Sequence, residues 1–290
     1  MSSTTALRNT LRWRFLRNLP DKVLSRLDYL RERGQAGSVA AWCREHEVDA
    51  VELMRSRDAD LAAEAEAVGE RIAAHGREVL ASRRIPAATA ADHRLLYFLV
   101  RSHRPENVVE TGVAAGFSSE AILSALDANG HGHLWSSELP YVRLPDPESE
   151  VGVVVSDEHR RRWTLFLDGD RANLRRIAAE APTVDLLHYD SDKARRGRRF
   201  ALRRLDPRLA DGATLVFDDI DDNGRIGPGD LSYFAAAYGH QAGDSGVLFS
   251  HACDFDRNGT VGPGDLSYFA SVYGRRPTDE GRLNYPWDFP

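Results

Sequence analysis

The sequence predicts an α/β fold with a parallel sheet, followed by a small all-α unit that binds calcium. From about residue 90, short apolar runs alternate with helical segments, as in parallel sheets with crossover helices. The predicted strands end in acidic residues, and a segment at 219–239 recurs at 254–274 with 15 of 21 positions identical. We therefore divide the chain into an N-terminal helical region (1–89), a sheet domain (90–218), calcium-binding repeats (219–275) and a C-terminal tail (276–290).

Composition limits the function classes. The chain has 290 residues and a net charge of −6, which gives no nucleic-acid-binding signature. No apolar run reaches the roughly 18 residues that a transmembrane helix needs, and the first residues do not resemble a secretory signal. The two cysteines, Cys43 and Cys253, have no metal-type spacing. We therefore expect a cytoplasmic protein with no nucleic-acid partner and no transmembrane segment.

The N-terminus is basic, with four Arg and no acid in the first 20 residues. Apolar Phe15 and Leu16 alternate with arginines, which predicts one or two helices broken at Leu19-Pro20. One interpretation is a capping helix with a solvated basic face, and the alternative is peripheral contact with an anionic membrane surface. Residues 38–83 are rich in Ala, Glu and Arg, which favours helix.

The sheet domain is predicted to contain five strands joined mainly by helices. Apolar runs bounded by turn residues predict strands at 108–111, 133–137, 163–167, 184–189 and 214–217. Helical patterns predict helices at 91–102, 118–126, 171–180 and 194–204. Pro105 follows the first of these helices and Gly130 the second, in positions typical of helix ends.

Every predicted strand carries an acid to the same edge of the sheet, where ligands bind in parallel α/β folds. The acids are Glu110, Glu138, Asp168, Asp170, Asp190, Asp192, Asp218 and Asp219. The first turn has glycines at 112 and 116, which let a backbone approach a ligand closely. A carboxylate at the second strand end, here Glu138, can hold the two hydroxyls of a ribose.

The block VVETGVAAGFSSEAILSAL at 108–126 resembles motif I of class I S-adenosylmethionine-dependent methyltransferases. VDLLHYDSDK at 184–193 and GATLVFDDI at 212–220 resemble later motifs of the small-molecule O-methyltransferases in that class. The resemblance covers about residues 90–220 and implies a Rossmann-like domain. It further implies that Glu110, Gly112 and Gly116 frame the methionine end of the cofactor and that Glu138 binds its ribose. Gly169 and Asp170 would lie near the adenine, and Ser118 is a further expected cofactor-binding residue.

In the metal-dependent branch of that family, acids matching Asp190 and Asp218-Asp219 hold a divalent cation such as Mg²⁺ that positions the acceptor oxygen. We therefore expect Asp190 and Asp218 to be the catalytic residues, acting on a hydroxyl of a small molecule or glycan. The family often has His where this chain has Asp192 or Lys193, and lysine at its ordinary pKa is a poor general base. The basic run at 193–204 is either a solvated helix face or a site for an anionic acceptor.

The repeat places oxygen ligands at loop positions 1, 3, 5, 7 and 12 and glycine at position 6, the spacing that wraps a chain around Ca²⁺. In the first copy the ligands are Asp219, Asp221, Asn223, the carbonyl of Arg225, and Asp230. In the second they are Asp254, Asp256, Asn258, the carbonyl of Thr260, and Asp265. Two loops, each followed by a helix, resemble a dockerin module, and dockerins bind cohesin domains outside cells. A cohesin-like partner is therefore an open alternative, although the pairs at 228–229 and 263–264 differ from the usual partner-choosing residues.

The two resemblances meet at Asp219. A class I methyltransferase sheet normally has seven strands, but only 71 residues follow Asp219 and the repeats take most of them. We predict a sheet that is lacking or altered after its fifth strand. The leading hypothesis is a methyltransferase with a calcium-binding tail. One alternative is a calcium-stabilised interaction module on an inactive methyltransferase-like scaffold, and another is calcium regulation of catalysis through Asp219.

Overall fold

The computed structural model describes residues 9, 12–32, 48–81, 83, 92–142, 144–192 and 194–218. The chain divides into two units, Met1–Asp221 and Asp222–Pro290, and the fold below is that of the first. Both calcium loops, Lys193 and the stretch after the fifth strand lie outside the described residues. The predictions made for them therefore stay predictions.

The core of the first unit is a five-stranded sheet in which all neighbouring strands are parallel. The strands are β1 (Asn107–Thr111), β2 (His133–Ser137), β3 (Trp163–Phe166), β4 (Val184–Tyr189) and β5 (Leu209–Phe217). Their order across the sheet is β3-β2-β1-β4-β5, so β1 is central and the chain changes direction on either side of it. This reversal creates a crevice beyond the carboxyl end of β1.

Helices cover both faces of the sheet because successive strand residues point to opposite sides. Val108 and Leu186 pack with α4 (Ala59–Ala81), α5 (His93–His103) and α6 (Phe117–Asn129). Val109 and Leu187 pack with α7 (Asp170–Glu180) and α8 (Arg195–Leu205) on the other face. The predicted α/β architecture with a parallel sheet is confirmed.

The fifth strand starts earlier than predicted. The sequence predicts it at 214–217, but the strand runs from Leu209 to Phe217. Leu209 pairs with Val184 and Thr214 pairs with Leu186, so the intervening residues bulge out of the ladder. Gly212 lies in the bulge with φ of +79°, a backbone conformation that glycine adopts without strain.

The N-terminal region contains α1 (Trp13–Leu16), α2 (Leu19–Glu32) and α3 (Ala50–Arg57), together with α4. The break between the first two helices falls at Arg17-Asn18 rather than at Leu19-Pro20. Pro20 occupies the first turn of α2, where its missing N–H leaves no hydrogen bond unmade. No helix among the described residues is long and apolar enough to cross a membrane.

Candidate active site

The parallel sheet brings the acids at its strand ends to one edge. Thr111, the last residue of β1, accepts a hydrogen bond from the backbone N–H of Asp190 at 2.9 Å. The N–H of Asp218 donates to the carbonyl of Tyr189 at 3.0 Å. The predicted site residues within the described part of the chain therefore lie along this edge, where β1 is central.

The turn after β1 has an unusual backbone. Gly112, Ala114 and Gly116 all have positive φ, at +83°, +46° and +98°. A Cβ on residue 112 would lie 2.4 Å from the carbonyl oxygen of Asp190, and one on residue 116 would lie 2.8 Å from the Cα of Gly152. Both glycines are thus required by conformation and by close backbone packing.

Glu138 holds this turn in place from the end of β2. Its Oε2 accepts the backbone N–H groups of Val113 and Ala114, each at 2.7 Å, and its Oε1 accepts that of Leu139 at 2.7 Å. Burial raises the pKa of Glu138, and these three amides act in the opposite direction. A carboxylate offers about four acceptor positions, so Glu138 can still accept a ligand hydroxyl.

Glu110 lies beneath the turn and is fully buried. Its two oxygens accept the hydroxyls of Ser118, Ser119 and Ser136 at 2.7, 2.6 and 2.8 Å. The predicted pair Glu110 and Ser118 therefore bond to each other and join β1 to the first turn of α6. No motif marks Ser119 or Ser136, because their importance depends on how closely α6 and β2 approach β1.

Asp170 connects two other strand ends. Its Oδ1 accepts the hydroxyl of Ser137 at 2.7 Å and its Oδ2 that of Ser191 at 2.5 Å. Burial raises the pKa of Asp170, opposed by these hydrogen bonds. Gly169, with φ of +80°, lies so close to Asn18 that a Cβ would come within 2.7 Å of its side-chain oxygen. Gly169, which the resemblance places near the adenine, is thus in contact with the N-terminal segment at Asn18.

Two arginines of the N-terminal segment form ion pairs with Asp168, next to Gly169, and with Glu148. Arg14 Nε and Arg17 Nη2 lie 3.0 and 2.9 Å from Asp168 Oδ1, and Arg14 also pairs with Glu148. Both arginines belong to the predicted basic face, and they form these ion pairs while 28% and 31% of their side chains stay exposed. The uneven charge in the sequence contained a usable signal, since a basic segment without acids suits an edge rich in carboxylates.

The connection between β2 and β3 packs onto the glycine turn. The N–H groups of Gly152 and Val154 donate to the carbonyls of Ala114 and Ala115, both at 2.9 Å. Asn9 donates to the carbonyls of Val142 and Leu144 at 3.0 and 2.8 Å, which ties the same connection to the N-terminal segment.

Glu120 in the first turn of α6 also holds this connection. It accepts the N–H and hydroxyl of Ser156 at 3.0 and 2.7 Å, and its Oε1 lies 3.0 Å from His159 Nδ1. Burial alone would raise the pKa of Glu120, but the hydrogen bonds from His159 and Ser156 outweigh it and lower that pKa. The hydrogen bond to Glu120 raises the pKa of His159. The two groups therefore favour each other's charged form.

Three side chains at the β4 and β5 ends could hold a metal ion. One ligand atom from each of His188, Asp190 and Asp218 lies within 4.8 Å of the others. The sequence analysis paired Asp190 with Asp218 but missed His188. Its position two residues before Asp190 was the available signal, because residues i and i+2 share a strand face.

His188 differs from the two acids in burial. It is 1% exposed, and its Nδ1 lies 3.6 Å from Glu110 Oε1. The two carboxylates match the oxygen preference of Mg²⁺, whereas an imidazole is more typical of Zn²⁺, Fe or Ni. The donor set thus fits a hard divalent cation held by Asp190 and Asp218, with His188 supporting the site from the core.

Comparisons with known proteins find one sequence family that resembles part of this chain. Residues 109–220 match the sequence profile of a family described as a methyltransferase domain. No curated protein matches the chain in a sequence search.

Several solved structures are similar to part of this chain. An O-methyltransferase from Bacillus cereus in complex with SAH is 18% identical over 53% of this chain and 69% of its own, with a TM-score of 0.44. The O-methyltransferase TomG from Streptomyces achromogenes, in complex with SAM, is 18% identical over 55% and 68%, with a TM-score of 0.42. The SAH-bound methyltransferase PaMTH1 from Podospora anserina is 15% identical over 67% and 73%, with a TM-score of 0.41.

The Glu120–His159 pair generates a prediction about pH. Because the pKa of His159 is raised in the fold, its interaction with Glu120 stabilises the fold fully at pH values below the ordinary pKa of 6.5. This stabilisation is lost as pH rises through the raised pKa. The lowered Glu120 pKa stabilises above 4.5, and this is lost as pH falls through the lowered pKa. We expect His159→Asn to lower the melting temperature by about 2–4 °C at pH 5–6 and by less at pH 9.

Scanning calorimetry between pH 4 and pH 9 measures this difference. His103→Asn is the matched control, since His103 is exposed at the end of α5. A His159 effect that stays constant across this range would contradict the assigned ion pair.

Residues 109–220 thus match a methyltransferase-domain profile in the part of the chain whose motifs resemble S-adenosylmethionine-dependent methyltransferases.

Proposed function

We propose that the first unit transfers the methyl group of S-adenosylmethionine to an oxygen of a small-molecule or glycan acceptor. The observation that carries the proposal is the glycine turn with three positive φ values, held by Glu138 beyond the central strand. Such a turn leaves room for close approach of a ligand at the switch point of the sheet.

The proposed cofactor contacts follow from the polar groups along this edge. Glu138 has acceptor capacity for a ribose hydroxyl, in the part of the edge next to Gly112. Gly169 and Asp170 would border the adenine. Glu110 is buried and bonded to three hydroxyls, so we assign it to positioning the turn and Ser118 rather than to direct contact.

The reaction asks little covalent chemistry of the protein. S-adenosylmethionine supplies a methyl group on a sulfonium, which is its own leaving group. The acceptor oxygen forms a bond to the methyl carbon while the carbon–sulfur bond breaks and its electron pair returns to sulfur. The protein's main contribution is to align the two atoms.

The proton of the acceptor hydroxyl must also leave, and it passes to solvent at the partly exposed end of the cluster, where Asp190 and Asp218 lie. We propose that they hold Mg²⁺ and orient the acceptor hydroxyl there. A divalent cation lowers the pKa of a bound hydroxyl. His188 is too buried to reach an acceptor, and we assign it to positioning these acids.

We further propose that the repeats at 219–275 bind two Ca²⁺ ions. The support is the ligand spacing, which occurs twice with 15 of 21 positions identical. An interaction module with a cohesin-like partner, on a scaffold without activity, is the second candidate function that this repeat favours. We place the protein in the cytoplasm, where S-adenosylmethionine is available, although a dockerin-like module argues for the outside of the cell.

Cofactor binding has a direct test at Glu138. We expect Glu138→Gln to weaken binding of S-adenosylhomocysteine by about 10–100-fold, because a charge-assisted hydrogen bond to the ribose is lost and the turn loosens. Isothermal titration calorimetry measures the change, with Glu106→Gln, on the exposed side chain before β1, as the control. Absence of binding to the unaltered protein would favour the inactive scaffold instead.

The metal assignment predicts a separation of two functions. Asp190→Asn should abolish binding of Mn²⁺, used as a probe for Mg²⁺, while leaving affinity for S-adenosylhomocysteine within about threefold. The carboxylate is required for a hard cation, whereas the proposed contacts of Glu138 and Gly169 follow β2 and β3, on the other side of β1 from Asp190. Electron paramagnetic resonance follows Mn²⁺, with Asp185→Asn, at the amino-terminal end of β4, as control. Equal Mn²⁺ binding in both variants would show the assignment to be wrong.

The repeat predicts calcium stoichiometry. Titration of the full chain should give two Ca²⁺ ions, and Asp254→Ala should leave one, since position 1 supplies a ligand that no neighbour replaces. Cys253→Ala, one residue before the loop, is the control. If Asp254→Ala retains both ions, the ligand assignment fails.

A further inference from the structure

An arginine groove runs along the outer side of α8, between that helix, α2 and α7. It encloses about 530 Å³ and is open to solvent. Arginines dominate its lining, with one aromatic and one acidic residue. The lining residues are Asp28, Arg171, Arg195, Arg196, Arg199, Phe200, Arg203 and Arg204.

The groove carries excess positive charge. Its α8 arginines recur at one-turn spacing at 195, 199 and 203 and at two-turn spacing at 196 and 204, and all five are exposed. Asp28 is the one acid in the lining, and nearby Asp21 pairs with Arg171 and Arg196 at 2.5 and 3.7 Å. Arg199, Arg203 and Arg204 form no ion pair with any residue in the described ranges. A concave surface of one charge sign focuses its field on an anion.

Part of the groove is already ordered for binding. The Arg171 guanidinium stacks on the Phe200 ring at 4.5 Å and is held from the other side by Asp21. A fixed guanidinium loses less conformational entropy when it binds an anion. Arginine also presents a planar set of donors that matches phosphate and sulfate oxygens.

The groove opens at the edge that carries the active site. Arg171 follows Asp170, and Arg195 lies five positions after Asp190. The hydroxyl of Ser25, one helical turn before Asp28 on α2, donates to Asp192 Oδ2 at 2.6 Å. From Arg195 to Arg204 the helix rises about 13 Å, so the row extends well beyond the reach of a single anion.

We propose that the arginine groove binds an oligoanionic methyl acceptor carrying at least two phosphate or sulfate groups. Its charged part lies along α8, and its reacting hydroxyl reaches the Asp190 and Asp218 edge. The role of the bound anion as methyl acceptor rests on the proposed methyl transfer. The presence of an anion site depends only on the groove. Phosphate and sulfate share the required chemistry, and the experiment separates them.

The test uses the full chain and three probes: inorganic phosphate, tripolyphosphate and sucrose octasulfate. Calorimetry at fixed salt should show tight binding of one or both oligoanions and weak binding of inorganic phosphate. The double variant Arg199→Gln/Arg203→Gln should weaken oligoanion binding by about tenfold or more. The control Arg71→Gln/Arg77→Gln, on the exposed side of α4, should leave it unchanged. The stronger of the two oligoanions identifies the phosphorylated or sulfated class.

S-adenosylhomocysteine binding is measured in the same variants to keep the two proposals apart. If S-adenosylhomocysteine does not bind while oligoanion binding depends on Arg199 and Arg203, the methyl-transfer proposal is wrong and the anion-site proposal is supported. The proposed anion site would be wrong if the groove and control variants bound oligoanions equally well. It would also be wrong if the unaltered protein bound none.

A membrane surface is the competing partner, since Val23, Leu24 and Leu27 on α2 are more than 40% exposed. Sedimentation with phosphatidylglycerol vesicles tests it. Vesicle binding that is lost in Leu27→Ser, together with no binding of either soluble oligoanion, would overturn the proposal in favour of the membrane.

Discussion

The structure depends on a carboxylate that has no contact with solvent. Glu110 lies in the central strand, and a carboxyl group buried there is tolerated only when its oxygens are hydrogen-bonded. Three serine hydroxyls bond to them, two from the first turn of α6 and one from β2. These bonds fix where α6 begins relative to β1, and the glycine turn is the short stretch left between them. The shape of the candidate site therefore follows from a buried carboxyl group that does not itself contact the proposed ligand.

A second set of polar contacts builds the site outward from this centre. Glu138 binds the amides of the turn, and Glu120 holds the β2–β3 connection through Ser156 and His159. That connection then packs its own backbone against Ala114 and Ala115. Each layer uses a carboxylate as a multiple acceptor, which suits an edge that collects the acids of several strands. The wealth of acids in the sequence thus has structural as well as chemical uses.

Much of this could be predicted from the sequence because the sheet is regular. β2 and β4 have the predicted bounds, and the acids of parallel strands must meet at one edge. The predictions failed where distant residues decide the outcome. The fifth strand starts earlier than predicted because Leu209 finds a partner in β4. The hydroxyls around Glu110 are likewise tertiary contacts that no local pattern marks. The basic N-terminus and the two-residue spacing of His188 and Asp190 are visible in the sequence, but neither identifies the partner that the fold supplies.

The N-terminal segment adds a different kind of contact to this edge. Arg14 and Arg17 meet Asp168 through ion pairs in which each partner keeps more than a quarter of its side chain exposed. Salt screens such pairs, whereas the backbone amides around Glu138 are hardly affected by it. Higher ionic strength should therefore weaken the ion pairs that hold the segment at the edge, without changing the hydrogen bonds between Glu138 and the glycine turn. The attachment of the segment would then respond to salt more strongly than the geometry of the glycine turn.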